Sequence, residues 1–67
     1  MSGTVKWFDA TKGFGFIHPD DGGHDVFVHI DAVHRAALSD LKKGQKISYV
    51  LETDRVKTFA SALKLED

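Results

Sequence analysis

The sequence predicts an all-β domain of five short strands, arranged as a small sandwich or a closed barrel. The chain has 67 residues, which is enough for one small domain and leaves little room for a buried catalytic pocket. Turn signals recur at short intervals, and the stretches between them have the period of two that is typical of strands. A small barrel needs one apolar face per strand, and closure removes exposed strand edges, so the barrel is favoured.

Turn residues divide the chain at 9–13, 19–23 and 42–44. The predicted strands cover residues 4–9, 14–19, 25–30, 45–52 and 58–65. The connection over residues 31–43 suits a helical turn better than a full helix, because about thirteen residues must also make both connections. Since no repeat or linker interrupts the sequence, residues 1–67 are expected to form a single domain.

Alternation within the later strands predicts which side chains form the core. In the third strand, Val26, Val28 and Ile30 share an aliphatic inner face, and Asp25, Phe27 and His29 share the outer face. The inner faces of the last two strands are Ile47, Tyr49 and Leu51, then Phe59, Ser61, Leu63 and Leu65. The rings of Phe27 and His29 should therefore point to solvent.

The second strand also carries rings on one face. Alternation places Phe14, Phe16 and His18 opposite Gly15 and Ile17. In the alternative arrangement the phenylalanines form the core, but the aliphatic set of the third strand makes the better core. We also expect that the absence of side chains at Gly13 and Gly15 lets the turn bend and lets a ligand approach closely.

Exposed rings beside cationic side chains suggest a surface that binds unpaired bases. The cations near the predicted rings are Lys6, Lys12, Arg55 and Lys57. Each stacked base contributes roughly 1–3 kcal/mol with little sequence preference, and a duplex hides its base faces. The first strand does not decide whether Trp7 faces the core or solvent. Strict alternation puts Trp7 in the core with Val5 unless a bulge intervenes.

Composition limits the possible partners and locations. The net charge is −1, so a nucleic-acid partner cannot rest on bulk charge, although residues 35–64 hold seven of the nine Lys and Arg side chains. No apolar run approaches the roughly 18 residues of a membrane span, and the N-terminus lacks a signal-peptide core. The absence of cysteine fits a reducing compartment, and a cytoplasmic location without membrane contact is expected.

Four segments resemble the bacterial cold-shock proteins and the cold-shock domain generally. Residues 3–8 (GTVKWF) look like the opening strand of that family, and residues 41–47 (LKKGQKI) look like the start of its fourth strand. Residues 12–17 (KGFGFI) and 25–29 (DVFVH) match its two ribonucleoprotein-type motifs in order and separation. The similarity spans essentially the whole chain.

The resemblance implies a five-stranded antiparallel barrel of the oligonucleotide-binding type (OB-fold). It implies binding of single-stranded RNA and DNA, and an RNA-chaperone role in transcription, translation and the cold-shock response. It also favours an exposed Trp7, and it makes Asp25 a hydrogen-bonding contact. Apolar and basic residues outside these motif positions are added to the candidate contacts. The full set is Lys6, Trp7, Lys12, Phe14, Phe16, Asp25, Phe27, His29, Ile30, Leu38, Arg55 and Lys57.

The sequence departs from the family pattern at three places. Ile30 and Leu38 stand where the family usually has aromatic residues, and residues 57–62 replace a glycine–proline and alanine-rich segment. Fewer stacked bases and weaker binding than in a typical member are therefore expected. Phe59 is a possible substitute ring, but alternation favours its placement in the core.

Other functions have weaker support in the sequence. The histidines at 18, 24, 29 and 34 converge poorly on a metal, and neither a catalytic grouping nor a phosphate-binding loop is recognisable. We expect no enzyme activity, small-molecule substrate, metal or cofactor. A peptide-binding module stays open as an alternative, because an exposed aromatic face would serve it too. A monomer is expected, with strand exchange through residues 31–43 as a route to a dimer.

Overall fold

The computed structural model describes residues 1–66, which form five strands closed into a barrel. The elements are β1 (Ser2–Asp9), β2 (Phe14–Pro19), β3 (Val26–His29), α1 (Ile30–Arg35), β4 (Lys46–Thr53) and β5 (Thr58–Leu65). The order around the barrel is β1-β2-β3-β5-β4. The predicted five-stranded barrel is confirmed, and its pairing is antiparallel except at the seam between β3 and β5, which is parallel.

The core fills the inside of this barrel with one face of each strand. Its buried apolar residues are Val5, Ile17, Val26, Val28, Val33, Leu41, Ile47, Tyr49, Ala60 and Leu63. The predicted inner positions Val26, Val28, Ile47, Tyr49 and Leu63 are thus confirmed. Burial of aliphatic side chains at roughly 25 cal/mol per Å² supplies the main driving force for a chain of this length.

The third strand is shorter than predicted because a helix begins at its end. β3 stops at His29, and Ile30 starts α1 rather than ending the strand. His29 is the N-cap: its backbone is extended, and its Nδ1 accepts a hydrogen bond of 3.1 Å from the Asp31 backbone N–H. The predicted helical turn is confirmed as a six-residue helix. None of the helical structure in residues 1–66 is long and apolar enough to cross a membrane.

A bulge in β5 reverses the faces that alternation predicted for its first half. The β4–β5 register shifts between Ser48 and Val50, and Ala62 opposite this step has a positive φ of 49°. Ala60 is consequently buried, and Phe59 and Ser61 lie on the outer side. The predicted core positions of Phe59 and Ser61 are therefore wrong, because one extra residue shifts the alternation.

Two further predicted core residues lie at the ends of the barrel. Leu51 is paired with the buried Ala60 but is 41% exposed, because β4 continues past the barrel wall. It borders a hollow of about 310 Å³ together with Met1 and Pro19. Leu65, near the end of β5, is also exposed. Neither leucine is the core residue that alternation predicted. A side chain on the inner face of a strand is buried only where neighbouring strands cover it.

The Tyr49 hydroxyl is the basis of one prediction about stability. The side chain is 2% exposed, its hydroxyl has no hydrogen-bond partner within residues 1–66, and desolvation raises the pKa of Tyr49. Because a buried unsatisfied polar group costs about 1–3 kcal/mol, Tyr49→Phe should raise the free energy of unfolding by about 1 kcal/mol in a urea titration. Tyr49→Leu is the control for lost ring volume and should be less stable than wild type. A destabilised Tyr49→Phe variant would contradict the prediction.

Candidate nucleic-acid interface

A bulge in β1 brings Trp7 to the outer surface. The β1–β2 register runs Val5 to Ile17 and then Trp7 to Phe16, so that Lys6 is the extra residue. Val5 is 1% exposed inside the barrel, whereas Trp7 is 37% exposed outside it. The arrangement favoured by the family resemblance is therefore confirmed.

Four rings from three adjacent strands form one cluster, here called the aromatic platform: Trp7, Phe14, Phe16 and Phe27. Trp7 lies 5.4 Å from Phe14 and 5.5 Å from Phe16, edge to face, measured between ring centroids. Phe27 stacks on Phe14 at 5.8 Å with an interplanar angle of 19°. The phenylalanines are half-buried and lie outside the core cluster, as the alternation predicted.

These rings support one another but leave part of their surface open. Edge-to-face and offset-stacked pairs at these distances contribute about 0.5–1.5 kcal/mol beyond area burial. The contacts hold the rings in place before any ligand arrives, which lowers the entropy lost on binding. The platform can therefore receive flat apolar faces such as those of unpaired bases.

His29 borders the platform and has a second role that the sequence analysis missed. Its ring lies 6.4 Å from Phe27. Because Nδ1 accepts the Asp31 N–H, the neutral ring carries its proton on Nε2, which is then a donor to a ligand. The sequence signal for this cap was a polar side chain two residues before an acidic residue in the first turn of a helix.

Lys57 covers part of the platform. Its Nζ lies 4.6 Å from the centroid of the Phe27 ring, a cation–π contact of about 0.5–1 kcal/mol at an exposed site. The turn that carries it is held by Asp54, whose Oδ1 accepts hydrogen bonds from the backbone N–H groups of Val56 and Lys57. These two bonds keep the pKa of Asp54 below its ordinary value. The ammonium is thus placed beside a ring face.

The predicted contacts Lys6 and Asp25 are bound to each other. Lys6 Nζ donates to one oxygen of Asp25 at 2.8 Å, and His18 Nδ1 lies 3.0 Å from the other oxygen. The Lys6 hydrogen bond, followed by that of His18, lowers the pKa of Asp25, so the carboxylate is charged at neutral pH. An exposed ion pair of this kind contributes little stability, and a phosphate can replace the carboxylate at Lys6 at small cost.

The other two candidate cations lie in exposed turns. Lys12 lies in the β1–β2 turn, which Asp9 closes by accepting the backbone N–H groups of Thr11 and Lys12. Arg55 lies in the β4–β5 turn. Within residues 1–66, neither Lys12 nor Arg55 forms an ion pair. Both are therefore available to phosphate groups.

Ile30 and Leu38 differ from the other candidates in their surroundings. Both side chains are half-buried and pack against the barrel core. Their apolar surface is consequently shared between the core and solvent. The two positions where the family usually has rings thus add less open surface than an aromatic side chain would.

Gly15 does not have the role that we predicted for it. The residue is buried, and an added Cβ would lie 2.7 Å from the Phe8 Cα and still closer to the backbone oxygen of Trp7. Its small size lets β1 and β2 pack closely and does not open a path for ligand. Gly13, by contrast, has a φ of +85° that the turn requires, as expected.

A residue outside the candidate set lies beside the platform. Phe59 is in register with Phe27 across the parallel seam, on the outer side of the barrel. Together with Phe27 and His29 it borders a groove of about 500 Å³. Sequence reasoning considered Phe59 as a substitute ring but favoured the core, because alternation did not include the bulge at Ala62 that reverses its face. The residues that the structure describes include no cluster of three His, Asp or Glu side chains that could hold a metal.

Comparison with known proteins shows the family of the chain. The family model described as the "'Cold-shock' DNA-binding domain" matches residues 1–65. The "Probable cold shock protein y4cH" of Sinorhizobium fredii is 66% identical over 65 residues, which are 97% of this chain and 94% of that protein. "Cold shock protein CspA" of Rhizobium meliloti is 62% identical over 53 residues, or 79% of this chain and 77% of its own length.

A more distant relative also matches most of the chain. "Cold shock-like protein CspG" of Escherichia coli K12 is 52% identical over 52 residues, or 78% of this chain and 74% of that protein. The family match covers both motif segments and all five strands. The chain therefore belongs to the cold-shock domain family, whose members bind nucleic acids and are not enzymes.

Proposed function

We propose that this protein binds single-stranded RNA and DNA by stacking unpaired bases on the aromatic platform, and that it acts as an RNA chaperone. The observation that carries the proposal is the platform itself, four mutually supporting rings held on the outer side of the barrel. Base–aromatic stacking is tolerant of sequence, and each base contributes roughly 1–3 kcal/mol. Family membership supports nucleic acid as the ligand class over a peptide.

The chaperone mechanism that we propose is passive. The protein binds the unpaired state of a structured RNA and not its duplex, so binding shifts the equilibrium toward melted RNA by mass action. Release needs no ATP, because the free energy comes from binding alone. In this way a monomer in the cytoplasm would influence transcription and translation during cold shock.

The proposed contacts divide by chemistry. Trp7, Phe14, Phe16 and Phe27 stack bases, and His29 donates from Nε2. Lys12, Arg55 and Lys57 contact phosphates, and Lys6 joins them when phosphate replaces Asp25. Because Ile30 and Leu38 pack against the core, they add only small apolar contacts. We therefore expect weaker binding than in relatives with aromatic residues at those positions.

Titration of Trp7 fluorescence tests this proposal, since Trp7 is the single tryptophan of the chain. A short pyrimidine-rich single strand should quench the emission saturably, and the matching duplex should not. With Lys6, Lys12, Arg55 and Lys57 as the phosphate contacts, the logarithm of the binding constant should fall with the logarithm of salt at a slope of about −3, from about 0.7 per phosphate.

Calorimetry with the same strands is the control for a silent fluorescence signal. Absence of heat as well as quenching would contradict nucleic-acid binding. Equal affinity for the duplex would refute stacking, because a duplex offers no free base faces. A slope near zero would show that phosphates are not contacted.

A further inference from the structure

The outward-facing ring of Phe59 continues the platform by one strand. Phe59 pairs in register with Phe27 across the β3–β5 seam. The adjacent strand β4 places Glu52 directly opposite Phe59. Outward rings thus follow one another on β1, β2, β3 and β5. Phe59 is half-buried and does not belong to the core cluster, so part of its ring is open to a ligand.

The groove between Phe27 and Phe59 has polar groups suited to a nucleotide. It measures about 500 Å³, and the cationic side chains of Arg35 and Lys57 line it. Glu52 lines it as well, and within residues 1–66 this carboxylate forms neither an ion pair nor a side-chain hydrogen bond. An aromatic face, two cations and an open carboxylate therefore meet in one place.

We propose that this groove binds one further base of the single strand, that Phe59 stacks on it, and that Glu52 selects a base with an exocyclic amino group. This inference rests on the proposed function. The amino group of cytosine donates to a carboxylate. Uracil has a carbonyl oxygen at that position, which repels the same carboxylate. Arg35 and Lys57 contact the phosphates on either side of the base.

The other two acidic side chains of the groove are engaged elsewhere. One oxygen of Asp54 accepts the backbone hydrogen bonds that shape the β4–β5 turn. Asp31 lies with an oxygen 3.5 Å from His29 Nδ1. Glu52 is consequently the acceptor nearest to Phe59 along the strand pairing, and selectivity is assigned to it.

The test uses the full chain and a short oligouridine in which a single cytosine is moved along the strand. Calorimetry should find one position at which cytosine binds about three- to tenfold more tightly than uridine. Glu52→Gln should abolish this difference, because the amide accepts the cytosine amino group less strongly and no longer repels the uracil carbonyl, so that all-uridine binding becomes tighter. Phe59→Ala should weaken binding of every strand by about tenfold, within the range found for one stacked base.

Two controls keep the test decisive. Val50→Ala removes another exposed apolar side chain of the β4–β5 pair that does not line the groove, and its affinity should not change. Phe59→Tyr keeps a ring and should retain the affinity, which separates stacking from folding. If the wild type binds oligouridine but neither Phe59→Ala nor Glu52→Gln changes the affinity or the cytosine effect, the subsite is refuted and the platform stands. If the wild type binds no single strand, the proposed function itself fails.

Discussion

Replacing Phe27 by alanine should weaken single-strand binding by about 10- to 100-fold, the largest loss expected from one ring of the platform. Phe27 is its centre: it stacks on Phe14, meets Phe16 edge to face at 6.0 Å, and lies under Lys57. Its removal deletes one stacking face, loosens the rings of Phe14 and Phe16 that it supports, and releases the Lys57 ammonium. Calorimetry with a pyrimidine-rich strand at low salt measures the loss.

The Phe27→Ala protein should still fold. Phe27 projects outward and lies outside the core cluster, so we expect a loss of about 1 kcal/mol in stability and an unchanged circular dichroism spectrum. Phe27→Tyr is the matched variant, which keeps the ring and should keep most of the affinity. Wild-type affinity in Phe27→Ala would rule out the platform as the binding surface, and an unfolded variant would place the ring in the core.

Gly15→Ala is expected to remove most of the free energy of unfolding at 25 °C. The added Cβ would meet the backbone of Trp7 and Phe8, and neither can move without breaking the β1–β2 pairing. Such overpacking against backbone costs about 3 kcal/mol or more, whereas a domain of this size has a total stability of about 3–5 kcal/mol. Urea unfolding followed by circular dichroism measures the change.

Gly23→Ala is the control for a general effect of losing a glycine. A Cβ there would approach only the carboxylate of Asp21, at 3.1 Å, and that side chain can rotate away. The control should therefore unfold close to the wild-type midpoint. A Gly15→Ala protein as stable as this control would show that β1 and β2 can separate enough to admit a methyl group.

The sequence predicted the outward rings correctly because alternation within a strand is a local property. In β2 and β3 no bulge intervenes, so the aliphatic face at Val26 and Val28 leaves Phe27 outside. The same rule failed at Phe59, because the bulge that reverses its face depends on how β5 pairs with β4. The first strand needed the family resemblance to favour a bulge, since Val5 and Trp7 both suit a core.

The sequence by itself therefore determined the strand number, the aromatic motifs and the family, because composition and period-two patterns are written in neighbouring residues. The tertiary structure alone decided the closure of β3 on β5, the groove beside Phe59, the capping of α1 by His29 and the pairing of Lys6 with Asp25. The groove, the seam and the ion pair join residues distant in the chain. Their geometry follows from barrel closure, which periodicity along one strand does not encode.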